Sequence, residues 1–380
     1  MTEHIGSEGR PGWNRTPDEQ HEFSTGPADP SEPEFPQVDP SYPQSGENAP
    51  GGFPNQADEN VSRETSPPAR YPVRTAAELA AFATGLDDNA TPLAKAAEHV
   101  VLARQATHSR PSLPRPQATR VFVVANQKGG VGKTTSTVNL AAALAQLGQR
   151  VLVIDLDPQG NASTALNVAH HQGITSTYDV LVDGVPLDDA VVACPDVDGL
   201  FLVPATIDLA GAEIDLVSVV ARETRLRKAL AGCARIGNDG EDRFDFVLVD
   251  CPPSLGLLTV NALAAGDEMM IPIQAEYYAL EGLGQLLKIV DLVRADLNRD
   301  LAITTVLITM YDARTRLAAG VADEVREHFG DQVLKTNIPR SVRVSEAPSY
   351  GLTVMTYDPG SPGALSYLEA AREIAVKGTA

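Results

Sequence analysis

The sequence has little that would cross-link a fold or carry it into a membrane. Its 380 residues include only 3 cysteines and 1 tryptophan. Cys194, Cys233 and Cys251 are odd in number and far apart. That excludes a disulfide framework and a Cys-x-x-Cys metal site, and it is the usage expected in a reducing cytoplasm. No apolar run approaches the ~18 residues of a membrane span. The opening residues, MTEHIGSEGRPGWNR, lack an apolar core, so no signal peptide is expected. Basic residues are also scarce, 30 against 50 acidic, for a net charge of −20. A chain this acidic has no overall nucleic-acid-binding surface, so any such contact must be a local patch.

What is present divides unevenly. Residues 1–117 hold 17 of the 28 prolines, and residues 1–60 carry 12 acidic and 2 basic residues. Such a stretch cannot bury enough apolar area to offset the entropy of ordering, so residues 1–74 read as a disordered acidic, proline-rich extension. Thr75-Ala-Ala-Glu78 is a capping-box signature, and Thr91-Pro92 reads as an N-cap with proline at the first helical position. Residues 75–117 are therefore expected to hold one or two short helices and a proline-rich linker. From residue 118 to 380 the pattern is periodic. Val121–Ala125, Val151–Ile154, Leu200–Val203, Phe246–Val249, Glu268–Ile273 and Ile303–Thr309 are apolar, β-branched runs separated by helical stretches. Strands of this kind are covered on both faces, which predicts an α/β fold, doubly wound, with a mostly parallel sheet and helices on both sides.

The strongest motif is Asn126-Gln-Lys-Gly-Gly-Val-Gly-Lys-Thr-Thr135, placed between a strand and a helix read from about Thr134 to Leu147. Gly129, Gly130 and Gly132 permit positive φ and close backbone approach. Successive N–H groups, with Val131 among them, then converge on an anion at a helix N-terminus. Lys133 would reach the β and γ phosphates and the Thr134 hydroxyl a magnesium ion, with Thr135 beside it. The usual first glycine of a phosphate loop is Gln127 here, and Lys128 is an extra lysine.

Two clusters of carboxylates follow. Asp155 and Asp157 close the run Val151-Leu-Val-Ile-Asp155-Leu-Asp157-Pro-Gln-Gly-Asn-Ala162, at the carboxyl end of a strand where open α/β sheets bind ligands. One can hold a metal-bound water while the other orients an attacking water. Phe246-Val-Leu-Val-Asp250 is an apolar strand ending in a carboxylate, the arrangement that faces magnesium in phosphoryl-transfer sites. Pro252-Pro253 stiffens its exit. Cys251 has no paired histidine in the sequence and reads as a small core residue.

KGGVGKTT, together with Pro204–Glu213, Pro252–Asn261, Pro272–Gly282 and Ser345–Ser349, resembles the ParA/Soj-type chromosome-partition ATPases, a deviant Walker A branch of the P-loop NTPases. The likeness runs from about Val121 to Ala375. It implies ATP and Mg²⁺ as ligands, with slow, partner-stimulated hydrolysis. Lys128 would cross a homodimer interface to the partner's nucleotide, where a trans cation contributes ~10³–10⁵ in rate. The resemblance makes Asp157 the water-positioning catalytic carboxylate and gives Asp155 and Asp250 to the metal. It implies non-specific binding of double-stranded DNA in the ATP state, a centromere-binding ParB-type partner, and a cytoplasmic, nucleoid-associated protein without membrane contact.

Residues 118–380 still carry 33 acidic against 21 basic residues, so a DNA patch must be local. Arg314 and Arg316 follow one late strand, and Arg340 and Arg343 follow a short strand read just before Lys335. Arg314 and Arg343 match arginines with which the family contacts DNA, and ion pairing or helix capping would equally account for them. Met310 and Pro339 lie at late strand ends, where the adenine base lies in this fold, and core packing reads as well for both. Tyr277 and Tyr278 read as interface or packing residues. A MinD-like, membrane-associated division-site ATPase is the alternative. It would need a basic amphipathic tail, whereas residues 365–380 carry mixed charge and read as a core helix ending at Gly378. Three roles stay open for residues 1–117: recruiting a polar scaffold protein, tuning DNA affinity by repulsion, and acting as a spacer.

Overall fold

The computed structural model describes residues 113–277, 280 and 283–377. The chain divides into Met1–Tyr71 and Pro72–Ala380, and every described residue belongs to the second unit. The extension read over residues 1–74, the helices read between 75 and 107, and Tyr278 lie outside the described residues.

Seven strands form one sheet: β1 (Arg120–Val124), β2 (Val151–Asp155), β3 (Val192–Ala193), β4 (Leu200–Val203), β5 (Phe246–Asp250), β6 (Glu268–Gln274) and β7 (Ala302–Thr309). Their order is β3-β4-β2-β5-β1-β6-β7. All neighbours run parallel except β3, which is antiparallel to β4. The six expected strands are present, each within one residue of its expected ends. β3 was not foreseen, because two exposed residues at a sheet edge leave no periodic signal. The short strand expected before Lys335 is absent. Val333 makes only an isolated bridge to Val306.

The helices that frame the sheet are α1 (Lys133–Gln146), α2 (Asn161–Ala165), α3 (Arg225–Gly232), α4 (Leu257–Ala265), α5 (Leu283–Asp296), α6 (Arg316–Phe329), α7 (Val342–Glu346) and α8 (Pro362–Lys377). Side chains alternate across a strand, and β1 shows the consequence. Val121 and Val123 join a core with residues of α4, α5 and α6, while Phe122 and Val124 join a second core with α1 and α8. Both faces are thus buried. The tail helix α8 packs on α1, with Tyr367, Leu368, Ala371 and Ile374 buried.

Two details position the site. The chain passes from β1 through α1 to β2, yet β5 lies between those strands. Asp250 therefore stands between the ends of β1 and β2, in register with Val124 on one side and Asp155 on the other. At the other end of the sheet, residues 113–117 strap onto the body. Leu113 N–H donates to Leu147 O at 3.0 Å, Gln149 Nε2 donates to Leu113 O at 2.9 Å, and Arg115 Nε pairs with the buried Asp245 at 2.7 Å.

Candidate active site

The glycine-rich loop joins β1 to α1, and buried side chains hold it from both flanks. Asn126 Nδ2 donates to Pro272 O at 2.8 Å, and its Oδ1 accepts from Lys128 N–H at 3.0 Å. Thr309 Oγ1, at the end of β7, donates to Val131 O at 2.8 Å. Gly130 and Gly132 have φ of 73° and 87°, a region that side chains rarely enter. A Cβ on Gly129 or Gly130 would meet nothing within 4 Å, so space remains above the loop. Gly132 caps α1 without a side-chain hydrogen bond. The first N–H groups of α1 are thereby left facing that space, where a helix N-terminus favours an anion.

Lys133 opens α1 and folds back so that Nζ donates to Lys128 O at 3.2 Å. Its side chain is buried, and burial lowers its pKa although Asp250, Cys251 and Asp157 act in the opposite direction. A cation in this condition gains from a polyanion placed beside it. Lys128 points outward, half-buried, with Nζ 3.8 Å from Glu276 Oε2. An exposed pair of this kind contributes about 0–1 kcal/mol and exchanges readily.

The two strand-end aspartates are fully buried and differ in their partners. Asp155 Oδ2 accepts from Ser163 N–H at 2.9 Å and Ser163 Oγ at 2.7 Å, and its Oδ1 accepts from Asp157 N–H at 3.2 Å. Its two oxygens therefore hold Asp157 and the helix α2 that follows it. Asp250 Oδ1 accepts from Thr137 Oγ1 at 3.1 Å, whereas Asp250 Oδ2 is buried with no hydrogen-bond partner. Burial pushes both carboxyls above the usual range. Ser163 opposes the shift in Asp155; in Asp250 the neighbouring Asp155 charge adds to it, against the Thr134 and Thr137 hydroxyls. A buried carboxylate oxygen without a partner, close to the first turn of α1, fits a divalent cation. Asp157 is nearly buried and its Oδ1 accepts from Gln159 N–H at 3.0 Å, the one hydrogen bond of its side chain among the described residues. Cys251 is buried, and burial raises its thiol pKa, in keeping with its reading as a core residue.

The comparisons with known proteins bear on this arrangement. A family described as "AAA domain" matches residues 119–303. The sporulation initiation inhibitor protein Soj of Bacillus subtilis (strain 168) is 51% identical over 259 residues, which cover 68% of this chain and 99% of that one. The chromosome partitioning protein ParA of Caulobacter vibrioides is 50% identical over 255 residues, covering 67% of this chain and 93% of that one. The chain belongs to the ParA/Soj family of chromosome-partitioning ATPases. A solved structure of cobyrinic acid a,c-diamide synthase from Mycobacterium smegmatis with bound ADP and magnesium shares the fold, with a TM-score of 0.57 and 39% identity over 67% of this chain and 94% of that one.

In this ParA/Soj chain the other candidate residues lie on the β7 side of the loop. Met310 takes a left-handed backbone, φ 51°, which turns the chain directly after Thr309. Tyr311 then bridges Pro339, and Arg340 N–H donates to Tyr311 O at 3.1 Å. Met310 and Pro339 are thus brought onto neighbouring segments beside the loop, both half-buried. Arg314, Arg316, Arg340 and Arg343 are all exposed. Arg314 binds Asp312 through two nitrogens at 2.9 and 2.8 Å, and Arg343 pairs with Glu346 and Asp358 at 3.2 and 3.6 Å. Both arginines are thus ion-paired, at strengths that solvent screens. Asn126, Thr137, Ser163 and Thr309 support the site and were not singled out from the sequence. Only the helical spacing of Thr137, one turn beyond Lys133, gave a local hint.

Proposed function

We propose that the chain is a nucleotide-gated ATPase that dimerises around ATP, holds double-stranded DNA without sequence preference while paired, and releases it on hydrolysis. The observation that carries this reading is the buried, unpartnered Asp250 Oδ2 beside an uncapped helix N-terminus and a buried lysine. Together they suit one cation and one polyanion. Residues 118–380 are the catalytic unit, and 1–74 and 75–117 are an extension and a linker.

Lys133 and the N–H groups of residues 129–135 bind the phosphates, and Met310 and Pro339 flank the base. Thr134 and Asp250 would hold a magnesium ion, with Asp155 supporting it through water, and the ion neutralises phosphate charge when bound. Lys128 leaves Glu276 and reaches the partner's nucleotide. Asp157, tethered at Oδ1 by Gln159, uses its remaining acceptor capacity to orient the attacking water. The acidic body repels DNA except where Arg314, Arg316, Arg340 and Arg343 meet phosphate, a contact doubled in a dimer. A ParB-type centromere-binding protein stimulates the slow hydrolysis, and the protein works in the cytoplasm on the nucleoid. The MinD-like alternative is disfavoured because α8 is spent on the core, one face buried against α1.

The test is retention of the full chain on double-stranded DNA with ATP, with ADP and without nucleotide. Retention should require ATP, persist in Asp157→Ala and vanish in Lys133→Ala. Retention independent of nucleotide, or turnover stimulated by lipid vesicles and not by DNA, would overturn the reading.

A further inference from the structure

Arg343 differs from the other three candidate arginines in what lies beneath it. Its Cζ sits 6.0 Å from the centre of the Tyr357 ring, and the Tyr357 hydroxyl donates to Glu346 Oε2 at 3.4 Å, the oxygen that also accepts from Arg343 Nη1. Tyr357 in turn stacks on Tyr350, with ring centres 5.2 Å apart and planes 20° from parallel. None of Arg314, Arg316 and Arg340 lies over an aromatic ring among the described residues.

The stack is firmly seated. Tyr357 packs on the α1/α8 core. The turn Ala347–Tyr350 packs on α2, and Gly351, at φ 66°, brings the backbone against Asn167. On the other side Val344 of α7 is buried against Gly363 of α8. Tyr350 itself is 66% exposed, and among the described residues its one aromatic neighbour is the half-buried Tyr357. An exposed arginine ordinarily loses rotamer freedom when it takes a phosphate, and a guanidinium already laid over a ring loses less. Its carboxylate partners are surface pairs that a phosphate can replace.

We propose that Tyr357, backed by Tyr350, is a positioning residue of the DNA interface, the stacked pair holding the Arg343 guanidinium ready for a phosphate. This rests on the DNA-binding reading above. It adds to that reading an aromatic support on which one phosphate contact per protomer depends.

The experiment is the binding of full-length protein to labelled double-stranded DNA with ATP across a salt series. Each phosphate contact contributes about 0.9 to the slope of log affinity against log salt. Arg343→Ala should reduce the slope by about 1.8 per dimer and weaken binding about sixtyfold at about 0.1 M salt. Tyr357→Ala keeps the Arg343 charge and removes its support, so binding should weaken roughly fivefold or more per dimer at near wild-type slope. Tyr350→Ala, at an exposed site where folding is not at risk, should weaken it in the same direction. Tyr357→Phe, which keeps the stack and loses the hydroxyl's contacts with Glu346 and Arg343, should bind as wild type. The double variant Arg343→Ala/Tyr357→Ala should bind no worse than Arg343→Ala. Wild-type affinity in both tyrosine-to-alanine variants overturns the proposal. So does additive loss in the double variant, which would mean that Tyr357 contacts DNA directly. A wild-type protein that ignores DNA in ATP would instead overturn the functional reading on which this one stands.

Discussion

Replacing Ser163 by alanine removes a hydroxyl that serves two buried partners. Ser163 is 0% exposed. Its Oγ donates to Asp155 Oδ2 at 2.7 Å and accepts from Ala205 N–H at 3.2 Å. A hydrogen bond to a charged group contributes about 1.5–3 kcal/mol, and a buried N–H left without a partner costs about 1–3 kcal/mol. The two effects overlap, because Asp155 Oδ2 keeps the Ser163 N–H at 2.9 Å, so the expected loss is about 2–4 kcal/mol. In a domain of this size 1 kcal/mol moves Tm by about 2–4 °C, which predicts a fall of about 5–15 °C. In chemical denaturation the midpoint should drop at constant m-value, the signature of lost stability without a changed unfolded state. There is a functional counterpart. Asp155 Oδ1 holds the N–H of Asp157 at 3.2 Å, so a loosened Asp155 misplaces Asp157 while leaving the phosphate loop alone. Single-turnover hydrolysis should slow more than ATP affinity weakens. A midpoint within about 1 kcal/mol of wild type would refute the view that this buried network is net stabilising. Equal losses in hydrolysis and binding would refute its link to Asp157.

Other substitutions test other parts of the arrangement. Asp250→Asn removes the buried, unpartnered carboxylate, so the ligand-free protein should unfold no earlier than wild type. The magnesium-dependent part of the stabilisation by ATP, about 2.7 kcal/mol at a hundredfold excess over Kd, should disappear, and an undiminished magnesium response in thermal unfolding would remove Asp250 from the metal site. Gly363→Ala places a Cβ 2.4 Å from Val344 Cγ2. Overpacking costs about 1–3 kcal/mol against a gain of about 1 kcal/mol in helix propensity, so a net loss of about 1 kcal/mol is expected in chemical denaturation. A raised midpoint would show that α7 and α8 have room between them.

The phosphate loop could be read from the sequence because its requirements are local. Gly130 and Gly132 must enter left-handed backbone, Lys133 must open a helix, and an apolar strand must precede them, all within a few residues. The strands were legible for a related reason. Each is buried on both faces, so its apolar run is continuous, and the one missed strand, β3, is two exposed residues. Asp155, Asp157 and Asp250 were legible as strand-end carboxylates, and their number and order suggested a cation.

Which oxygen would serve that cation was not legible. Asp155 and Asp250 look alike along the chain, each closing an apolar run. They differ because Ser163 folds back onto Asp155 while Asp250 Oδ2 is left without a partner, a distinction made by neighbours that folding brings in. The same holds for Asn126 on Pro272, 146 residues away, and for Thr309 on Val131, 178 residues away. The arginines Arg314 and Arg343 were visible as charge, yet only packing sets one over stacked tyrosines and leaves the other against a single aspartate. Composition and short-range spacing specify where a chain turns, extends and exposes polar groups. The partners that fix the reactivity of those groups come from distant segments, and only their three-dimensional apposition assigns them.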